Sequence, residues 1–151
     1  DILAMEDAGA SESGIFSDLG IVTTTGANGP ALTRALLSGL AESQPDVIVL
    51  ELGDGLLGAY GVAAILADDA VRNALTAVVL CANDPVSAWG GAKILREEFS
   101  IEPAVVTGPA TDNDVGVDQI AARCSLPAIN ALNNGVALGD LVASLLPEKR
   151  T

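Results

Sequence analysis

Two acids, Glu51 and Asp54, flank Gly53 at the end of the apolar run 46–52. Carboxylates at a strand end can hold Mg²⁺, which takes one or two such ligands and keeps several waters. The same residues also suit a plain turn, with Asp54-Gly55 reversing the chain and Glu51 in water. A second candidate is the glycine-rich stretch Gly26-Ala27-Asn28-Gly29, which opens a helical pattern. Free N–H groups at a helix start can hold an anion. Pro30 offers no N–H, however, and Pro30-Ala31 stands where the GxxxxGK[ST] pattern needs Lys and Ser or Thr. A tight turn with Gly29 as cap explains the stretch equally. A third candidate is Asn83-Asp84-Pro85, which could read a base edge or a ribose hydroxyl, or form a side-chain-capped turn. Asp112 and Asp114 could add to an acidic mouth, although Asp114 also fits a helix N-cap.

Composition removes several other chemistries. The chain has no histidine, so a Ser-His-Asp triad and a histidine zinc site are impossible. Cys81 and Cys124 lack CxxC spacing and read as small buried hydrophobes in a reducing cytosol, which points to a cytoplasmic protein. Twenty acidic residues against seven basic ones give a net charge of −13, which argues against a nucleic-acid partner. Four aromatics (Phe16, Tyr60, Trp89 and Phe99) make no stacking platform. No apolar stretch is long enough for a bilayer, so no membrane partner is expected. Arg34, Arg72, Lys93 and Arg123 all fall in helical patterns, leaving no obvious clamp for a triphosphate.

These groups need a frame. Apolar, β-branched runs at 20–25, 46–52, 76–82, 103–107 and 126–130 read as strands buried on both faces. Helical spacing occupies 30–43, 59–75, 87–99, 114–124 and 133–146, and residues 1–10 suit a short helix. The expected fold is α/β: a three-layer sandwich with a mostly parallel sheet of about five strands and helices on both faces, Rossmann-like or P-loop-like. Residues 1–151 read as one domain. Because the chain opens with Asp1 rather than Met, processing and a longer parent polypeptide both stay open. In such a sheet ligands bind beyond the carboxyl ends of the strands. All three candidate stretches fall on that rim.

Several stretches together resemble the later part of a P-loop nucleotide-binding domain of the dethiobiotin-synthetase-like group. They are Asp1-Ile2-Leu3-Ala4-Met5-Glu6-Asp7-Ala8-Gly9-Ala10, Phe16-Ser17-Asp18-Leu19-Gly20, and the run from Asp46 through Glu51-Leu52-Gly53-Asp54-Gly55 to Leu57. The runs 76–83 and 103–108 are similar to the strands that follow in that group. The resemblance implies ATP or GTP with Mg²⁺, Glu51 as the magnesium-side acid, and Asn83 and Asp84 facing the nucleoside. The Lys-bearing loop is absent from these residues, so the chain alone is not expected to complete a ligase-like or kinase-like reaction.

Expected contacts are therefore Glu51 and Asp54 to metal, and Gly26, Asn28, Gly29, Gly53, Gly55, Asn83 and Asp84 to the nucleotide. Two alternatives remain. One is a Rossmann-like module for NAD or a small metabolite, although GxGxxG is missing. The other is a non-catalytic oligomerisation module. A mean hydropathy of +0.45 with 18% charged residues favours a homo-oligomer or packing against another domain.

Overall fold

In a computed structural model, residues 2–147 are described. Helix takes up 53% of the chain and two parallel strands only 5%. The expected five-strand, three-layer sandwich is therefore wrong: the protein is helix-rich, with a minimal sheet. The chain divides into two compact units, Asp1–Ala74 and Leu75–Thr151.

The first unit is helical. It contains α1 (Ile2–Asp7), a 3-10 turn at Phe16–Leu19, α2 (Gly29–Ala41), α3 (Val62–Ala67) and α4 (Asp69–Ala74). Neither 20–25 nor 46–52 forms a strand. A strand exists only where its N–H and C=O groups meet a neighbour's ladder, and an apolar run cannot specify that neighbour. The helical pattern across 59–75 splits in two at Asp68, where ψ is 119°. The Asp68 carboxylate turns back to accept from Ala70 N and Val71 N, both at 3.1 Å, and so starts α4. Arg34 of α2 is ion-paired with the same carboxylate, tying α2 to α4. Val62, Ile65, Leu66 and Val71 are buried, and Gly29 at the start of α2 lies against Ile65.

The second unit keeps a reduced version of the expected βαβ order. It runs β1 (Val79–Cys81), α5 (Pro85–Phe99), β2 (Val105–Thr107), a 3-10 turn at Pro109–Thr111, α6 (Asp114–Cys124) and α7 (Ala131–Ser144). β1 and β2 are parallel, with Val79 opposite Val105 and Cys81 opposite Thr107. The run 126–130 contributes a single parallel bridge, Ala128 to Val106. Two of the helices present one buried stripe each: Ala88, Ala92, Leu95 and Phe99 on α5, and Gly116, Ile120 and Cys124 on α6. Ala88, Ala92, Ile120 and Cys124 close over Val106, Ala110 and Leu126 as one core. Gly108, at φ +88°, lets β2 turn beside β1, since a Cβ there would lie 2.8 Å from the Ala82 carbonyl oxygen.

Candidate functional site

The first unit holds a cleft of about 230 Å³. Its floor is helical, with Leu32, Thr33 and Leu36 of α2 facing Val62 and Ile65 of α3. The other wall is the irregular run 50–54, which brings Glu51, Gly53 and Asp54 to the cleft together. Phe16, Thr24 and Tyr60 complete the lining. The result is a largely apolar slot whose polar lining residues are Thr24, Thr33, Glu51, Asp54 and Tyr60.

Local geometry explains the position of the acids. Asp54 has φ +69° and Gly55 φ +72°, so the chain reverses sharply after Gly53. The Asp54 Oδ2 accepts from Ala59 N at 2.8 Å, holding the loop against its own carboxylate. Gly61 then closes on the 20–25 segment: it has φ +84°, and a Cβ there would lie 2.4 Å from the Thr25 carbonyl oxygen. Thr25 N and Thr25 Oγ1 both donate to Asn28 Oδ1, at 2.6 and 3.0 Å. Asn28 Nδ2 donates to the Thr23 carbonyl at 3.3 Å.

The sequence candidates thus separate into three groups. Glu51, Gly53 and Asp54 share the cleft, with Gly55 next in the turn. Gly26, Asn28 and Gly29 build the entry to α2 and are not among the lining residues; the Asn28 side chain is committed to its own loop and Gly29 is buried. Asn83 and Asp84 belong to the second unit, where Asp84 caps α5 by accepting from Ser87 N at 2.8 Å. Thr33 was missed from sequence. It is 6% exposed within the apolar stripe of α2, and a lone hydroxyl between Leu32 and Leu36 was the available signal.

Charge in this unit is one-sided. Its two basic residues, Arg34 and Arg72, are ion-paired with Asp68 and Asp69. A bare phosphate therefore finds no uncommitted cation among the described residues here. Among the described residues no group of three or more Asp, Glu, His or Cys side chains could hold a metal ion. Two carboxylates still match the donor chemistry of Mg²⁺, which fills its remaining positions with water and phosphate oxygen. Among the described residues no helix is long and apolar enough to cross a membrane.

Elsewhere, one polar knot stands out. Arg96 of α5 donates to Glu102 Oε2 at 2.7 Å and to the Cys124 carbonyl at 2.9 Å. The hydrogen bond from Arg96 holds the Glu102 carboxyl below the usual carboxylate range. Burial pushes the Cys124 thiol up. This knot joins helix ends in the second unit.

No protein-family model, curated protein or solved structure matches the chain. The geometry of the cleft therefore carries the functional argument, because a fold does not by itself define an activity.

Proposed function

We propose that the chain is part of a magnesium-dependent nucleotide-binding protein, with the base in the cleft of the first unit and the phosphates at its acidic edge. The observation that carries this reading is the meeting of Glu51 and Asp54 with the apolar faces of α2 and α3 in one cleft. A slot of about 230 Å³ suits a ring system rather than a whole nucleotide. With Arg34 and Arg72 already paired, an anionic group approaches two carboxylates only with a cation between them. Glu51 and Asp54 would hold Mg²⁺, which when bound would neutralise phosphate charge. Thr24 and Thr33 would offer hydroxyls to the ring edge. Residues 1–151 carry no lysine-bearing phosphate loop, so group transfer would need a further protein segment.

The test is thermal unfolding with ATP, GTP or NAD, each with and without Mg²⁺. Ligand at 100 times its dissociation constant adds about 2.7 kcal/mol, a shift of several degrees. Metal-dependent protection by ATP or GTP that weakens in Glu51→Gln supports the proposal. Protection by NAD without metal supports the dinucleotide alternative and removes this one. Absence of any shift also removes it.

A second reading, an assembly module without catalysis, is favoured by the exposure of Val22, Val49 and Leu57 in the first unit. It is distinguished by a solution mass that rises with concentration and by indifference to every nucleotide.

A further inference from the structure

The second unit has an exposed apolar rim that the nucleotide reading does not use. β1, β2 and the Ala128 bridge run parallel, and each is followed by a helix, so α5, α6 and α7 begin on the same rim. Hydrogen bonds knit that rim together: Ala131 N donates to Thr107 Oγ1 at 3.2 Å, and Asn130 Nδ2 donates to Asp112 Oδ1 at 2.8 Å. The second residue of each helix is a large aliphatic side chain facing water. Val86 is 75% exposed, Val115 70% and Leu132 94%. Trp89, one turn into α5, is 47% exposed.

Each helix start carries a side-chain cap. Asp84 accepts from Ser87 N, Asn113 from Gly116 N, and Asn130 from Leu132 N and Asn133 N. Asp84, Asp112, Asp114 and Asp118, each within three residues of Val86 or Val115 in sequence, are exposed. The described basic residues of this unit lie farther along the helices: Lys93 is paired with Glu97, Arg96 with Glu102, and Arg123 contacts Gln119. Capping and the helix dipole account for the aspartates. Neither accounts for three aliphatic side chains repeated at the same helical position on one rim, and clustered apolar exposure marks interaction surfaces.

We propose that this rim docks a basic, amphipathic segment of a partner protein. Its apolar face would cover Val86, Val115 and Leu132, and its Lys or Arg side chains would stand over the four aspartates. Charge decides against other occupants. A second copy brings the same acidic rim and a net charge of −13, and nucleic acid or an anionic membrane is repelled in the same way.

Trp89 is the chain's only tryptophan, so its emission reports the rim alone. The intact chain is titrated with a synthetic amphipathic helix of Leu and Lys, and separately with a Ser-Lys peptide of equal charge. A saturable blue shift with the Leu-Lys peptide only, falling with salt and weakened at least several-fold in Leu132→Ser and in Val115→Ser, supports the proposal. Both substitutions lie on exposed first turns, and unchanged melting curves verify the fold. An absent shift, an equal shift with the Ser-Lys peptide, or undiminished binding by both variants overturns it. So does a concentration-dependent mass without peptide that the same variants abolish, which would make a second copy the occupant. The nucleotide assays read the other unit, so either proposal can fail without the other.

Discussion

The Asp54 carboxylate accepts the Ala59 N–H at 2.8 Å, which makes one side chain both the latch of its loop and a wall of the cleft. The two roles separate by substitution. Asparagine keeps an acceptor oxygen and loses the charge, so Asp54→Asn should unfold within about 0.5 kcal/mol of the parent in urea. Alanine loses the acceptor as well and should cost about 1 kcal/mol. If the carboxylate holds Mg²⁺, Asp54→Asn abolishes metal-dependent nucleotide protection while the loop stays intact. Retained protection in that variant would leave Asp54 as a latch only.

Glycines 61 and 139 make a matched pair with opposite signs. Gly61→Ala demands a side chain at φ +84° and 2.4 Å from the Thr25 carbonyl oxygen, so a loss upwards of about 2 kcal/mol is expected. Gly139 sits inside α7 with nothing within 4 Å of an added Cβ. Gly139→Ala should stabilise by about 0.5–1 kcal/mol. Urea unfolding of both variants against the parent measures the difference.

The helix caps of the second unit should rank by the bonds they make. Asp84→Ala removes an acceptor for Ser87 N and should cost about 1 kcal/mol, whereas Asp84→Asn should cost only a few tenths. Asn130→Ala loses acceptance from Leu132 N and Asn133 N and donation to Asp112, and is expected to cost more than Asp84→Ala. Chemical denaturation with far-UV circular dichroism orders the three.

The Arg96–Glu102 pair predicts a small acid sensitivity. Glu102 is held below its ordinary value in the folded state, chiefly by the hydrogen bond from Arg96. Its contribution is therefore present above the unfolded glutamate value and lost as pH falls through the folded one. The Glu102 side chain is 64% exposed and that of Arg96 33%, which limits the effect to less than about 1 kcal/mol. Stability against pH for the parent and Glu102→Gln should converge in acid and diverge towards neutrality.

The cysteines should differ in access. Cys81 is exposed and Cys124 is buried, with its thiol pushed up by burial. A thiol reagent at mildly alkaline pH should modify one cysteine quickly in the native chain and the second only on unfolding. Two equally fast thiols would contradict the packing around Ile120 and Cys124.

Helix positions were readable because helices are local. The 3.6 period across 87–99 and 114–124 corresponds to α5 and α6 at Pro85–Phe99 and Asp114–Cys124, and the break at Asp68 follows from a capping side chain that the period alone does not register. The residues meeting at the cleft were partly legible too, since Glu51, Gly53 and Asp54 lie together in sequence. Strands are different: their hydrogen bonds reach to residues far along the chain, so equal apolar runs at 20–25, 46–52 and 103–107 had different outcomes. Only 103–107 found neighbours, pairing with 79–81 and touching Ala128, while the other two stayed irregular. Composition and local pattern by themselves determined charge, helix positions and the absence of histidine chemistry. Tertiary structure alone decided which apolar runs became strands, which unit received each candidate residue, and that Thr33 faces the cleft. Each of these depends on contacts between distant segments, which no window of sequence contains.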